Sequence, residues 1–391
     1  MVPSRLANWL LFYLPLAIAA GSCLYHLAVT LAALRFASRK ESASDFTPAV
    51  SVLKPLRGIE QDFYATLRTF FQQDYPNYEI VFGLSDPQDP AHWTIAQLQR
   101  EFPQIPVQVV RASGPAASAV NPKMHQLQQM LEQASHEVLV ISDADIRVEP
   151  GYLRQVVGPL RDARVGLVTC LYRGIRARGL YSLFEALGMS GDFAGQVLLA
   201  RWLGEVRFGL GATLATRKEQ IQAIGGLAPW ISYLADDFIV GNRIAARGYR
   251  VHLSHAVVET LLPHRTAREY WQQQLRWART VRSCSPRGYA GLIFAFGAPL
   301  ALLPVALQPH STLALAVLGG AWIARWLAAW AAGLLVCRDR LARNYFWLLP
   351  LRDFVALVIW LASFFGSEVV WRNARYRLEP DGRVRGLTGD K

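Results

Sequence analysis

Long apolar runs near the two ends of the chain rule out an ordinary soluble fold. Residues 10–34 are almost entirely apolar, and about 20 such residues suffice for a helix that crosses a bilayer. The run is too long for the apolar core of a cleaved signal peptide, so we expect a retained anchor at residues 1–40. By the positive-inside rule, the cations that follow it predict that the next segment lies in the cytoplasm; they are Arg35, Arg39 and Lys40.

Three further predicted spans lie near the C-terminus, at residues 289–307, 313–336 and 346–371. Arg352-Asp353 interrupts the last of them, so we expect its first turns at the membrane interface. Four spans would place the C-terminus outside, whereas a cytoplasmic end is favoured by Arg372, Arg375 and Arg377. The orientation of this end therefore stays open. Residues 180–203 are apolar but carry three charges, and predict an amphipathic helix lying on protein or membrane.

The composition limits the classes of function. The chain is 52% hydrophobic with a net charge of +12, and its arginines cluster beside the apolar runs, as expected for contact with anionic lipid headgroups and phosphate-bearing substrates. A nucleic-acid partner is excluded because no basic stretch carries interleaved stacking aromatics. The four cysteines show no CxxC spacing, which argues against a zinc site or a disulfide framework.

The middle of the chain alternates between strand-like and helix-like segments. Strands are predicted at residues 50–53, 79–84, 107–110 and 138–141, and helices at 63–71 and 123–134. This alternation predicts an α/β domain at residues 48–287 with a doubly wound, mostly parallel sheet. The remaining residues, 288–391, are predicted to form C-terminal membrane or interfacial helices and a basic tail.

The strand at residues 138–141 leads directly into Ser142-Asp143-Ala144-Asp145. In open α/β sheets ligands bind just beyond the carboxyl ends of such strands. Two carboxylates at that point can hold a divalent cation and, through it, a diphosphate. Many surface turns also contain Asp-x-Asp, so the pattern needs support from the rest of the chain.

Three more groups of polar residues stand at the ends of predicted elements. Asp86 follows a strand in a proline-rich turn, where it could bind a nucleoside or simply form the turn. Asp236 and Asp237 open a predicted helix, where acids are also common caps. The segment Gln273-Gln274-Leu275-Arg276-Trp277 lies on a predicted helix that could equally be an interfacial one.

In this order and spacing, the four groups resemble the ceramide glucosyltransferase-like family, glycosyltransferase family 21. Supporting matches are the turn at residues 54–58, the segments 74–76 and 121–123, and Gly225-Gly226. The family consists of membrane-bound, inverting glycosyltransferases of GT-A fold with three separated Asp motifs and a (Q/R)xxRW motif. The resemblance therefore implies a UDP-sugar donor, a divalent cation (Mg²⁺ or Mn²⁺) and a lipid acceptor, with the catalytic domain on the cytoplasmic face of a membrane, here a bacterial inner membrane.

The resemblance also implies a role for each matching residue. Asp86 would bind uridine beside the turn that begins at Lys54, and Lys123 would contact phosphate. Asp143 and Asp145 would face the diphosphate, with at least Asp145 ligating the metal. Asp237 would be the general base, its proton affinity raised by Asp236. The family's (Q/R)xxRW motif is matched by Gln273, Arg276 and Trp277; Arg276 would neutralise the diphosphate and Trp277 would pack against donor or acceptor.

Two departures bear on the acceptor. The eukaryotic ceramide enzymes carry Asp-Ser-Gly where this chain has Asp143-Ala144-Asp145, and a His-Pro pair near the equivalent of Asp192. Residues 208–212 and 234–237 look more like the bacterial branch associated with hopanoid biosynthesis, which implies a hopanoid polyol and UDP-N-acetylglucosamine; ceramide with UDP-glucose is the other expectation. A processive polysaccharide synthase and a nucleotide-binding scaffold without transferase activity are the alternatives.

Overall fold

A computed structural model describes residues 5–39, 44–59, 62–86, 88–111, 121–371 and 374–387, without the side chains of residues 5–8. Lys40 and Arg372, named above for membrane orientation, lie outside the described residues.

The strands are short except for two, which have 11 and 12 residues. In chain order they are β1 Val50–Pro55, β2 Tyr78–Leu84, β3 Val107–Arg111, β4 Val138–Ile141, β5 Ile146–Arg147, β6 Val165–Ile175, β7 Leu214–Arg217, β8 Arg250–Leu261, β9 Glu368–Trp371, β10 Ala374–Leu378 and β11 Val384–Gly386.

The helices are short between the strands and long near the two ends of the chain. In chain order they are α1 Arg5–Ser38, α2 Phe63–Phe71, α3 Ala91–Glu101, α4 Pro122–Gln133, α5 Tyr152–Val157, α6 Leu180–Leu187, α7 Ala194–Leu203, α8 Lys218–Ala223, α9 Asp236–Ala246, α10 Ala267–Cys284, α11 Pro286–Gly291, α12 Gly297–Leu307, α13 Thr312–Ala329, α14 Arg340–Tyr345 and α15 Leu349–Ser363.

The chain forms two compact units. We call the first the helical unit; it comprises Met1–Arg39, Ala177–Leu203 and His264–Leu378. The second, the sheet unit, comprises Lys40–Arg176, Gly204–Pro263 and Glu379–Lys391. The predicted division of the chain into domains at residues 48 and 287 stays a prediction. Each of the two compact units is built from separate stretches of the chain.

The sheet unit contains an eight-stranded sheet in the order β3-β2-β1-β4-β7-β6-β8-β5. The first four strands are parallel to one another, and β6 is parallel to β8. Strand β7 runs antiparallel to both of its neighbours, β4 and β6. The doubly wound, mostly parallel α/β sheet predicted from the alternating segments is confirmed.

Helices pack against the apolar side chains on both faces of the sheet. The central strands are buried on both sides, which is why they are continuous apolar runs in the sequence. On β1, Val50 and Val52 pack with α2, α3 and α5 in one core. Leu53 points to the other face and packs with α4, α8 and α9 in a second core. The period-2 alternation of a strand distributes its residues between these two layers.

Among its described residues, the helical unit contains four helical segments that are long and apolar enough to cross a membrane. They are Trp9–Ser38, Pro286–Leu307, Thr312–Val336 and Arg340–Ser363. The apolar run at residues 10–34 and the next two predicted spans fall within the first three, and the anchor bounds of 1–40 stay a prediction. Many leucines of these helices are exposed, including Leu24 and Leu31 on α1, as expected of surfaces that face lipid.

The fourth predicted span, residues 346–371, is wrong at both ends. The apolar segment begins at Arg340 and ends at Ser363, and residues 368–371 form strand β9, paired with β10. Between the helix and this strand lies Gly366, whose φ of +81° is accessible to glycine and costly for other residues. Hydropathy alone missed this end because Val369, Val370 and Trp371 are as apolar as the helix before them.

Arg352 and Asp353 do not break the fourth segment, because both are paired inside the helical unit. Arg325 donates from Nε to Oδ2 of Asp353 over 2.7 Å and from Nη2 to Oδ1 of Asp192 over the same distance. Arg352 donates from Nη1 to Oδ2 of Asp192 and, over 3.3 Å, to Oδ1 of Asp353. We call these four residues the charge quartet; its side chains are at most 18% exposed.

Residues 180–203, predicted as one amphipathic helix, form α6 and α7 joined by a π-helical segment, Gly188–Phe193. Two of the three charges on this stretch form ion pairs within the helical unit. Buried Glu185 pairs with Arg265, and Asp192 belongs to the charge quartet. A π-helical segment shifts side chains out of helical register, and Asp192 lies within it.

Candidate active site

Of the six predicted site residues in the sheet unit, all but Asp86 lie where β1 and β4 end. The two strands are parallel and in register from Val50 opposite Val138 to Leu53 opposite Ile141, so Lys54 and Asp143 follow at the same edge. Lys54 is fully buried, with Nζ 4.0 Å from the centre of the Phe70 ring. Its ammonium donates to the main-chain oxygen of Asp143. The structure therefore places Lys54 under the Asp143 loop, where it holds the main chain.

Lys123 links two of the predicted carboxylate groups. Its Nζ lies 2.6 Å from Oδ1 of Asp143 and 3.2 Å from Oδ2 of Asp236. These two carboxylates and Asp237 raise the pKa of the Lys123 ammonium against the opposing effect of burial, so it stays charged. One cation thus joins the loop after β4 to the first turn of α9.

The N-terminus of α4 is positioned by Asn121. Its side-chain oxygen caps the helix by accepting from the main-chain N–H of Met124, and its amide donates to the main-chain oxygen of Tyr233 over 3.2 Å. Pro122 occupies the first helical turn, where a missing N–H costs nothing. The segment 121–123 therefore presents Lys123 on a rigid helix start.

Asp237 lies partly buried in the first turn of α9 and accepts from the main-chain N–H of Phe238 over 2.8 Å. Burial, and then the neighbouring charge of Asp236, raise the pKa of the Asp237 carboxyl to about 6. Lys123 and the Phe238 hydrogen bond oppose this rise only in part. A carboxylate with this pKa can accept a proton near neutral pH.

A small space lies between Asp143 and Asp237, and a glycine leaves it open. A β-carbon on Gly211 would lie 3.2 Å from Oδ2 of Asp237 and 3.5 Å from Oδ2 of Asp143. The loop that carries Gly211 packs directly on α9, since a β-carbon on Gly241 would come within 2.1 Å of the main-chain nitrogen of Gly209. Gly211 therefore approaches both carboxylates at a point where a larger side chain would crowd them.

Asp145 lies beside β8. Its Oδ2 accepts from the hydroxyl of Thr260 over 2.5 Å, and its main-chain oxygen accepts from the N–H of Leu261. Burial, and then the charge of Asp143, raise the pKa of the Asp145 carboxyl. Two nearby carboxylates repel one another because both are negative. A cation bound between them would relieve this repulsion.

Across the described stretches of the chain, no group of three or more His, Cys, Asp or Glu side chains is arranged to hold a metal ion. Asp143 and Asp145 supply two carboxylates, and Mg²⁺ is commonly bound by one or two carboxylates together with substrate phosphates and water. The residues therefore fit a cation that is held jointly with a bound diphosphate.

Asp86 follows β2 in an exposed turn and accepts from the main-chain N–H of Gln88 over 2.8 Å. Three residues later, buried Asp89 accepts from the main-chain N–H groups of Gly58 and Ala91 over 2.7 and 2.9 Å. Asp89 thereby ties the predicted basic turn at residues 54–58 to the start of α3. No local pattern singles out Asp89, because its role depends on Gly58, which lies 31 positions before it in the chain.

The remaining predicted residues lie in the helical unit on α10. Its N-terminus carries a capping box in which Thr266 and Glu269 bond each other's main-chain N–H. Arg276 donates from Nη2 to Oε1 of Gln273 over 2.8 Å, and Trp277 is partly buried beside it in sequence. The first and fourth residues of the QxxRW motif thus meet across one turn of the helix, as their spacing predicts.

The chain is similar to known proteins over most of its length. The chain matches the profile of glycosyl transferase family 21 over residues 14–384. It belongs to that family. Family 21 is the ceramide glucosyltransferase-like family that the motifs resemble, so the family assignment is confirmed and the chain is a glycosyltransferase.

Individual relatives of this family 21 chain are distant. Ceramide glucosyltransferase 1 of Caenorhabditis elegans is 23% identical over 357 residues, which cover 86% of this chain and 73% of that protein. Ceramide glucosyltransferase 3 of the same organism is 26% identical over 216 residues, covering 55% of this chain and 46% of that protein. The chain therefore aligns with about half to three quarters of the length of these two relatives.

Among solved structures, the family 21 chain is similar to mannosyltransferase PcManGT from Pyrobaculum calidifontis, in complex with GDP-Man and Mn²⁺. The TM-score is 0.52 at 22% identity, covering 90% of this chain and 97% of that one. At this identity the likeness shows a shared GT-A fold. The hopanoid branch expected from residues 208–212 and 234–237 stays a prediction.

Proposed function

We propose that this family 21 enzyme transfers a sugar from a UDP-sugar to a hydroxyl group of a membrane lipid at the cytoplasmic face, with inversion at the anomeric carbon. The observation that carries the proposal is the shared space between Asp143 and Asp237, left open by Gly211. A donor diphosphate on the Asp143 side and an acceptor hydroxyl on the Asp237 side would meet there.

In the proposed reaction Asp237 accepts the proton of the acceptor hydroxyl as its oxygen attacks the anomeric carbon. The bond between that carbon and the diphosphate oxygen breaks, and UDP leaves with the electron pair. Asp237 is suited to this step because its pKa of about 6 leaves it ionised yet basic near neutral pH. Its geometry is held by the Phe238 N–H on α9.

Asp143 and Asp145 are the proposed ligands of Mg²⁺ or Mn²⁺. When bound, the cation would supply Lewis-acid stabilisation of the charge that develops on the leaving diphosphate. Lys123, already charged and paired with Asp143, would contribute a further positive charge at the same point. By family resemblance alone, we assign Asp86 and the Lys54 turn to the uridine and Gln273, Arg276 and Trp277 to the diphosphate and the bound substrates.

The lipid acceptor is supported by the four apolar segments of the helical unit and by family membership. Two donor and acceptor pairs follow from the sequence resemblance: UDP-N-acetylglucosamine with a hopanoid polyol, or UDP-glucose with ceramide. The test is product analysis with the purified full-length enzyme in detergent, each donor offered against each acceptor, with and without Mn²⁺.

A glycosylated hopanoid would support the bacterial branch, and a glycosylated ceramide would support the eukaryote-like activity. Polymer growth without any lipid acceptor would replace the proposal by a processive synthase. UDP binding without sugar transfer from any donor would contradict the proposed enzyme and favour the scaffold alternative.

The pH dependence of turnover tests the role of Asp237. The base must be ionised to accept a proton, so kcat/KM should rise by about tenfold per pH unit below pH 6 and level off above it. Asp236→Asn removes a negative neighbour and should move the midpoint to lower pH. A midpoint that Asp236→Asn leaves in place would show that another group controls the profile.

Thr260→Val tests the metal site through a residue that would not touch the metal. The change removes the hydroxyl that donates to Asp145 while keeping the shape of the side chain. Because partners that orient a metal ligand are worth roughly 10–100-fold in metal affinity, we expect the Mn²⁺ concentration for half-maximal activity to rise by that factor. Thr260→Ser keeps the hydroxyl and should behave as wild type; equal loss in both variants would contradict the prediction.

Gly211→Ala tests the shared space directly. The added methyl group would lie between the two carboxylates, and displacing reacting groups by about 1 Å can cost roughly 10²-fold in rate. We expect kcat to fall about 10–100-fold while the melting temperature is retained. Gly204→Ala is the matched control, because its β-carbon would meet no atom within 4 Å; unaltered turnover in Gly211→Ala would show that the space is not used.

A further inference from the structure

A cavity of about 260 Å³ lies within the helical unit where α1 and α7 end. Its volume is several times that of a water molecule, about 30 Å³, and slightly below the range of pockets for drug-sized ligands. A phosphate group with part of its glycerol would be accommodated. The lining combines three cations with aromatic and aliphatic side chains: Arg35, Arg39, Arg201, Phe36, Trp202 and Leu198.

The charge of the cavity is positive, because its lining contains three arginines and no acidic residue. Arg35 and Arg39 are exposed, and no carboxylate of the described residues forms an ion pair with either. The guanidinium of Arg201 lies 5.1 Å from the centre of the buried Phe36 ring, which restricts its position. Three neighbouring arginines repel one another, and a phosphate that accepts from their planar N–H groups would relieve this repulsion.

The surroundings of the cavity indicate that it lies at the level of lipid headgroups. The first candidate span, Trp9–Ser38, ends beside Arg35 and Arg39. At the rim, Trp202 and Leu203 are 41% and 74% exposed; tryptophan is enriched at membrane–water interfaces. One turn before Arg35, Leu31 is 55% exposed on the same helix, so an apolar surface suited to acyl chains adjoins the basic cavity.

We propose that this cavity binds the phosphate group of an anionic membrane phospholipid, with the acyl chains along the exposed apolar surface of α1. Basic pockets between membrane helices on the cytoplasmic side recognise such headgroups. The site is distinct from the proposed transfer reaction, because none of its residues belongs to the carboxylate cluster or the QxxRW motif.

The test is native mass spectrometry of the purified full-length protein in detergent, titrated with phosphatidylglycerol or phosphatidylcholine. Wild-type protein should bind phosphatidylglycerol in preference to phosphatidylcholine. Each arginine near a headgroup contributes roughly fivefold in affinity. We expect the apparent Kd to rise about 25-fold in Arg35→Gln/Arg39→Gln and about 100-fold when Arg201→Gln is added. The double variant changes only exposed side chains, so it tests the site even if the triple variant folds poorly.

The charge-matched control replaces three exposed arginines of the same unit that do not line the cavity, Arg287, Arg340 and Arg343, by glutamine. Its affinity should stay within about twofold of wild type, since the positions lack the cavity geometry. An equal loss in this control would overturn the proposal in favour of general charge attraction. Displacement of phosphatidylglycerol by inorganic phosphate at equal concentration would also overturn it, because the site would then select free phosphate over lipid.

Discussion

Asp237→Asn should lower kcat for sugar transfer by about 10²–10⁴-fold, the usual contribution of a general base. The amide keeps the shape of the side chain and can still accept from the Phe238 N–H, but it cannot take the proton of the acceptor hydroxyl. UDP-sugar affinity, measured by calorimetry in detergent, should change little, because the proposed donor contacts are made by Asp143, Asp145 and Lys123. A large loss of turnover with intact donor binding would separate an enzyme from a nucleotide-binding scaffold.

The control for Asp237→Asn is Glu132→Gln, which neutralises an exposed carboxylate of the sheet unit at the end of α4. Its turnover should equal that of wild type. If Asp237→Asn retained transfer within tenfold of wild type, the general base would have to be a different group. If donor binding were lost along with turnover, the role assigned to Asp237 would be wrong, since the carboxylate would then be needed to organise the donor site.

Asp353→Asn should strongly destabilise the helical unit. Arg325 and Arg352 would then share one carboxylate, that of Asp192, in a region where both guanidinium groups are nearly inaccessible. Removing one partner of a buried ion pair costs about 3–5 kcal/mol, because a buried charge is left uncompensated. With roughly 1.2 °C per kcal/mol for a chain of 391 residues, the melting temperature in detergent should fall by about 4–6 °C.

The control for Asp353→Asn is Glu368→Gln in the same unit. Glu368 faces Arg377 over 3.8 Å with both side chains more than half exposed, and such surface pairs contribute about 0–1 kcal/mol. Its melting temperature should not change measurably. The charge quartet would lose its assigned role if the two variants melted at the same temperature.

Patterns within short stretches of the chain were sufficient to predict the sheet. The apolar runs at residues 50–53 and 138–141 lie in two paired parallel strands. This pairing places Lys54 and Asp143 at the same edge of the sheet, as expected. Helix α2 was predicted with its observed bounds, because its apolar spacing and the exit before Pro76 are local signals. These features depend on neighbours in sequence, and the sequence displays them directly.

Contacts between distant parts of the chain were not predictable in the same way. Thr260 lies 115 positions after its partner Asp145, and nothing around Thr260 distinguishes it from an ordinary strand residue. Lys123 was expected to contact phosphate, yet its bridge to Asp236 depends on how α4 and α9 pack beneath the same sheet edge. The space at Gly211 is likewise a property of the assembled loop, since a glycine in sequence does not reveal which carboxylates it separates.

The charge quartet also constrains the order in which the protein can be made. Asp192 emerges from the ribosome 133 residues before Arg325, and Asp353 emerges 28 residues after Arg325. An unpaired charge in the centre of a bilayer costs roughly 2.5–3.5 kcal/mol even by insertion scales. A third segment that inserted alone would carry Arg325 unpaired; Asp192 can neutralise it from upstream, whereas Asp353 arrives only with the fourth segment. Stable insertion of the third segment is therefore expected to depend on Asp192 and to be completed when the fourth segment follows.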